Sequence, residues 1–127
     1  MPQPIESYVG GFEENATIRD LMAKWRLDQA TGGNDSTVSN CLRQFIEQSP
    51  NSALTLIVAL CRQYPDEKAK VALSEELEWM LQVHGVEYWD TINALCSRVP
   101  EFRAVMSCVW GAGLSKELKR KVEMWRS

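Results

Sequence analysis

Apolar residues recur along this chain at intervals of three and four, the spacing that keeps them on one face of a helix. The start lacks that rhythm. Pro2, Pro4 and the Gly10–Gly11 pair work against regular structure, so residues 1–16 are expected to form an irregular arm, pinned through Tyr8, Val9 and Phe12. From Thr17 the periodicity sets in. Asp20 stands where a capping-box acid would, and Ile18, Leu21, Met22 and Trp25 share a face until Thr31–Asp35 closes the helix as a loop. Asp35 or Ser36 caps a second helix with Val38, Cys41, Leu42, Phe45 and Ile46 inward and Asn40, Arg43, Gln44 and Glu47 outward.

Ser49–Pro50 restarts the chain with a cap residue and a proline at the first helical position, where its missing amide hydrogen is not needed. The helix that follows runs to about Tyr64. From Ala53 to Cys61 it is apolar nearly all round, which predicts a central, buried element. A buried strand is the alternative for so short a run; the cap and the Arg62–Gln63 ending favour helix. Beyond the Pro65–Asp66 turn, the spacing predicts a helical piece to Leu73, a recap at Ser74, and a face of Leu77, Met80 and Leu81 ending at His84–Gly85. Glycine suits the left-handed C′ position there. Val86–Arg98 reads as another helix with Trp89, Ile92, Leu95 and Cys96 inward. Pro100 opens the next, with Phe102, Met106, Val109 and Trp110 inward and Gly111 and Gly113 at its end. Ser115 caps a last one facing in through Leu118, Val122 and Trp125. The expected fold is all-α: six or seven short helices packed as antiparallel helical hairpins in a single domain over residues 17–127.

Composition agrees with a globular chain. With 127 residues, 45% of them apolar, it is large enough for one real core. The first sixteen residues hold Glu6, Glu13 and Glu14 and no apolar run, and the longest apolar stretch falls well short of a membrane span, so a cytoplasmic protein with no membrane association is expected. Cys41, Cys61, Cys96 and Cys108 are widely spaced, each on an apolar face, and are expected as buried thiols.

No nucleophile-elbow, zincin or phosphate-loop pattern occurs. His84 is the single histidine, and its reading as a last-turn residue bonding carbonyls beside Gly85 outweighs a catalytic one. Glu87 and Asp90 share a helix face but read as a solvated pair rather than an acid–base pair. Glu75, Glu76 and Glu78 on a helix make a poor cation cage. No catalytic residue, metal or cofactor is therefore expected.

Several short blocks are more specific. Leu77–Leu81, His84–Gly85, Pro100–Arg103 and Val109–Gly111 resemble a bacterial family of small all-helical domains of unknown function, in the same order over roughly residues 36–110. Glu75 and Glu76 stand where that family tends to have Gly-Pro, and Val99 replaces an Asp before Pro100. The resemblance implies a helical fold and a bacterial origin and carries no activity.

Charge is the strongest functional signal. The whole chain nets −3, which argues against nucleic acid. From Asp66 to Asp90 there are seven acids against two bases, a net of −5, while Arg103–Ser127 nets +4. Trp79 falls out of register with Leu77 and Leu81, among acids; packing against a neighbouring helix is the leading reading, and an exposed interface anchor is the alternative. The expectation is a non-enzymatic protein-binding module whose contact residues are Glu75, Glu76, Glu78, Trp79, Glu87 and Asp90. Its most concrete form is an immunity protein that neutralises a basic toxin domain by stoichiometric binding. A helical scaffold or adaptor of a larger assembly, with a homodimer as one form, is the alternative, and a small enzyme using His84 is a third.

Overall fold

The run from Ala53 to Cys61 is buried at every position, as a helix apolar on all sides must be. It forms the middle of a helix that touches most of its neighbours in the structure, a computed structural model that describes residues 3–10, 20, 22–27 and 36–125. In chain order the helices are α1 (Ile5–Gly10), α2 (described over 22–27), α3 (Ser36–Gln48), α4 (Pro50–Gln63), α5 (Glu67–Arg98), α6 (Pro100–Met106) and α7 (Lys116–Glu123). There is no strand among the described residues, and the chain is an all-α single domain. The expected Thr17 start with Ile18 and Leu21, the Thr31–Asp35 loop, and the side chains of Val38 and Cys41 lie outside what is described.

The arm corrects the first expectation. Residues 5–10 are helical, and Tyr8 is fully buried, its hydroxyl donating to Asn51 Oδ1 (2.6 Å) and accepting from the Gln3 amide (2.8 Å). Arg62 donates to the Val9 carbonyl, and Arg98 pairs with Glu6, so α1 is tied to both α4 and α5. The prolines lie ahead of the helix, where they do not interrupt it.

The larger correction concerns α5. Three short pieces were expected between Asp66 and Arg98; one unbroken helix of 32 residues runs there, about 48 Å long at 1.5 Å per residue. Asp66 caps it by accepting from the Ala69 amide. Ser74 does not recap the chain; its hydroxyl bonds back to the Val71 carbonyl within the helix. Gly85 is no C′ residue either. It is buried mid-helix because Leu118 of α7 packs onto its bare backbone, and a Cβ there would lie 2.6 Å from Leu118 Cδ1.

The chain beyond α5 folds back along it. Arg103 of α6 donates to the Cys96 and Ser97 carbonyls, filling acceptors that the end of α5 leaves open. The segment 111–125 then follows α5 level by level: Gly111 at Glu78, Gly113 at Gln82, Leu118 at Gly85, Lys121 over the Trp89 ring, and Trp125 bonded to Asn93. Both numbers rise together, so α7 lies parallel to α5 rather than as an antiparallel hairpin. Ser115 caps α7, as its sequence suggests.

This seam gives a direct check. Gly85→Val should push Leu118 out and lower stability by about 1–3 kcal/mol in urea unfolding. Adding Leu118→Ala should recover part of that loss. Additive losses in the double variant would show that the two sites do not touch.

Candidate functional site

Helices α1, α3, α4, α6 and α7 pack against α5, yet one of its faces stays open. Glu75, Trp79, Val83, Val86 and Asp90 stand at i, i+4, i+8, i+11 and i+15, which a 3.6-residue repeat keeps on one side over about 22 Å. Val83 and Val86 are 42% and 87% exposed, and Glu75 and Asp90 at the two ends are exposed. Glu87, one turn past Val83, borders the same face. An apolar centre between acidic ends is the layout of a small protein interface.

The 107–114 turn forms one edge of this face. Trp110 was expected inward, but it is 77% exposed. The physical reason is that α6 stops at Met106: Cys108 and Val109 bond three residues back, so helical periodicity no longer holds, and Val109 goes in while Trp110 goes out. The turn is braced. Glu78 Oε1 accepts the Gly111 amide at 2.6 Å, and Gly111 holds φ +80, a conformation that favours glycine. Glu78 is therefore a strut that positions Trp110, not a free acid of the surface.

On the opposite edge, α3 meets α5. His84, mid-helix and half-buried, donates from Nε2 to the Ile46 carbonyl at 2.6 Å and sits edge-on to Tyr88. It ties two helices together; the expected bond to carbonyls of its own last turn is replaced by this one, since α5 does not end there. Trp79 is half-buried and packed against the core rather than fully exposed, with the Arg43 guanidinium 5.6 Å above its ring.

Glu76 departs furthest from expectation. It is 7% exposed and so cannot belong to a surface patch. It precedes Met80 by one turn, on the side of α5 that α3 covers. Among the described residues, Glu76 Oε2 and Trp79 Nε1 are buried without a hydrogen-bond partner. Burial pushes the Glu76 carboxyl up to about 7; Arg43 pulls against that shift and Glu75 adds to it.

Elsewhere the chemistry is quiet. Cys61 and Cys96 are buried free thiols, both pushed up to about 12 by burial, with Glu101 adding to the shift at Cys61. Cys108 is a half-buried free thiol. A cleft of about 230 Å³ lies between Cys61, Pro65, Lys70, Pro100, Glu101 and Ala104. Among the described residues no group of acids, cysteines and histidine is placed to hold a metal ion, and no helix is long and apolar enough to cross a membrane.

Of the sequence-derived contact residues, Glu75, Trp79, Asp90 and Glu87 come together on or beside one face, while Glu76 and Glu78 do structural work next to it. Val83, Val86 and Trp110 were missed. The two valines become legible once α5 is written as one helix through Gly85. No protein-family model matches the chain, no curated protein matches it, and no solved structure matches its fold.

Glu76 predicts a pH dependence of stability. Its folded pKa lies above the usual 4.5, so the unfolded chain releases this proton first. The contribution of the protonated carboxyl is full below about pH 4.5 and is lost as pH rises to about 7. A shift of that size corresponds to about 3 kcal/mol. Glu76→Gln should flatten this part of the urea-unfolding profile and exceed wild type in stability near pH 8. A variant profile that keeps the wild-type slope would contradict the assignment.

Proposed function

We propose that the chain is a non-enzymatic protein-binding module whose docking face is the open side of α5, from Glu75 to Asp90, with Trp110 at its edge. The observation that carries this reading is the solvent-facing apolar centre of that face, Val83 and Val86, set between acidic ends, with the exposed Trp110 on the turn at its edge. Isolated surface valines need no explanation, but two exposed valines on one open helix face, with an exposed tryptophan on the turn that borders it, are apolar surface of the kind that marks an interaction site. Charge complementarity selects a basic partner that presents an amphipathic helix to the groove between α3 and α7. The most concrete form is an immunity protein that occludes a basic bacterial toxin domain one-to-one in the cytoplasm. Modest size, the acidic ends and the tying of His84 to a backbone carbonyl support that form over a catalytic one.

A second reading has its own observation. Lys116, Lys119 and Arg120 are exposed on one side of α7 and complement Glu75, Glu87 and Asp90, so a second copy of the chain could meet the first in a homodimer or scaffold. Sedimentation equilibrium separates the two: the inhibitor reading expects a monomer in the absence of partner.

Affinity capture from the source lysate at low and high salt, with three baits, tests the docking face. The wild-type bait should retain one basic protein that is toxic when expressed alone and harmless when the chain is co-expressed. Val86→Arg should weaken its capture at least about tenfold, a change of about 1.4 kcal/mol, without loss of fold. Glu75→Lys with Asp90→Lys should slow association and flatten its salt dependence. Equal capture by all three baits would overturn the placement of the site.

A further inference from the structure

At the α3 edge of the docking face, two buried polar atoms without partners lie within one helical turn of each other. Glu76 Oε2 and Trp79 Nε1 belong to residues three apart on α5, and the Arg43 guanidinium of α3 lies 5.6 Å from the centre of the indole ring and acts electrostatically on the carboxyl. We infer that Arg43 has two positions: it covers the Trp79 ring while the Glu76 carboxyl is protonated, and it moves onto the Glu76 carboxylate once that proton has left for solvent, uncovering Trp79 on the docking face.

Three physical arguments carry the exchange. A neutral carboxyl tolerates a buried site with one oxygen unbonded, whereas a buried carboxylate there demands a cationic partner. Arg43 is exposed and long enough to change position without disturbing α3. A guanidinium on a carboxylate makes short, charge-assisted and often paired hydrogen bonds, stronger than the same group over a partly solvated ring.

Among the described residues, the surroundings leave Arg43 as the cation for this task. On α5 itself, Glu75 opposes ionisation and His84, two turns on, is engaged with the Ile46 carbonyl. From α4 the buried run Ala53–Cys61 brings no charge. From α6 the buried residues are Phe102, Val105 and Met106. The Lys121 amine of α7 lies over Trp89, more than three turns from Glu76, and Tyr8 of α1 is bonded to Asn51. The upward displacement of the Glu76 carboxyl by burial brings its ionisation into the neutral range.

The exchange needs no partner, and only its consequence for docking rests on the function proposed above. The test is proton NMR of the full chain between about pH 5 and pH 9, following the Arg43 δ-methylene protons, identified by their loss in Arg43→Lys. At low pH the indole ring current should hold them upfield; above the midpoint they should move downfield, together with the Trp79 indole N–H. In Glu76→Gln they should stay upfield throughout. Upfield Arg43 protons at both ends of the wild-type titration would overturn the inference, as would a wild-type titration in Glu76→Gln. A positive titration with no basic protein captured would leave the exchange standing and remove the docking role; the reverse pair of results would remove the exchange alone.

Discussion

The arrangement depends on α5 staying helical through Gly85. A glycine in a helix interior costs about 1 kcal/mol against alanine, so something must compensate for its presence. The compensation is the close approach of Leu118, which only a residue without a Cβ permits. Because α5 does not break, it is long enough to carry α1, α3, α4, α6 and α7 at different levels. Each neighbour covers a different side. The face from Glu75 to Asp90 is what remains between α3 and α7.

This explains which parts of the fold could be read from the sequence. The all-round apolar run of α4, the Ser49–Pro50 restart, the Ser115 cap and the inward Phe102 and Met106 of α6 and Leu118 and Val122 of α7 are local signals, and local signals survive in the structure. Even there the match is partial, since Ser49 occupies the cap position without a side-chain bond. The continuity of α5 was hidden because a helix packed on several sides has no single apolar stripe. Its inward residues shift round the axis from Leu73 and Leu77 to Trp89 and Ile92, and the shift resembles a break. The six-residue α1 was hidden because it is held by tertiary bonds through Tyr8, Arg62 and Arg98, not by its own propensity.

The candidate site was legible in outline only. Acid content and an out-of-register tryptophan led to the stretch of α5 that carries the open face, but charge alone could not separate a solvated acid from a strut or a buried one. Glu75, Glu76 and Glu78 are neighbours in sequence and differ in role because one faces water, one faces α3 and one reaches the Gly111 amide. The acidic middle and the basic end of the chain also lie side by side, since α7 runs along α5. Several short blocks of the sequence fall at joints: His84 ties α5 to α3, Pro100 opens α6, and Gly111 turns the chain back along α5. Those roles explain why such residues serve a fold, and they assign no chemistry.

The central claim is that Glu75–Trp79 and Val86–Asp90 share one rigid face, and this holds only if the helix between them is intact. Native-state hydrogen exchange of the backbone amides from Met80 to Asp90 measures that directly. Protection across Gly85 should be as strong as that of Leu81 and Trp89, with exchange only on global unfolding. Fast exchange confined to residues 84–88 would mean two helices with a joint between them, and the continuous open face would not exist.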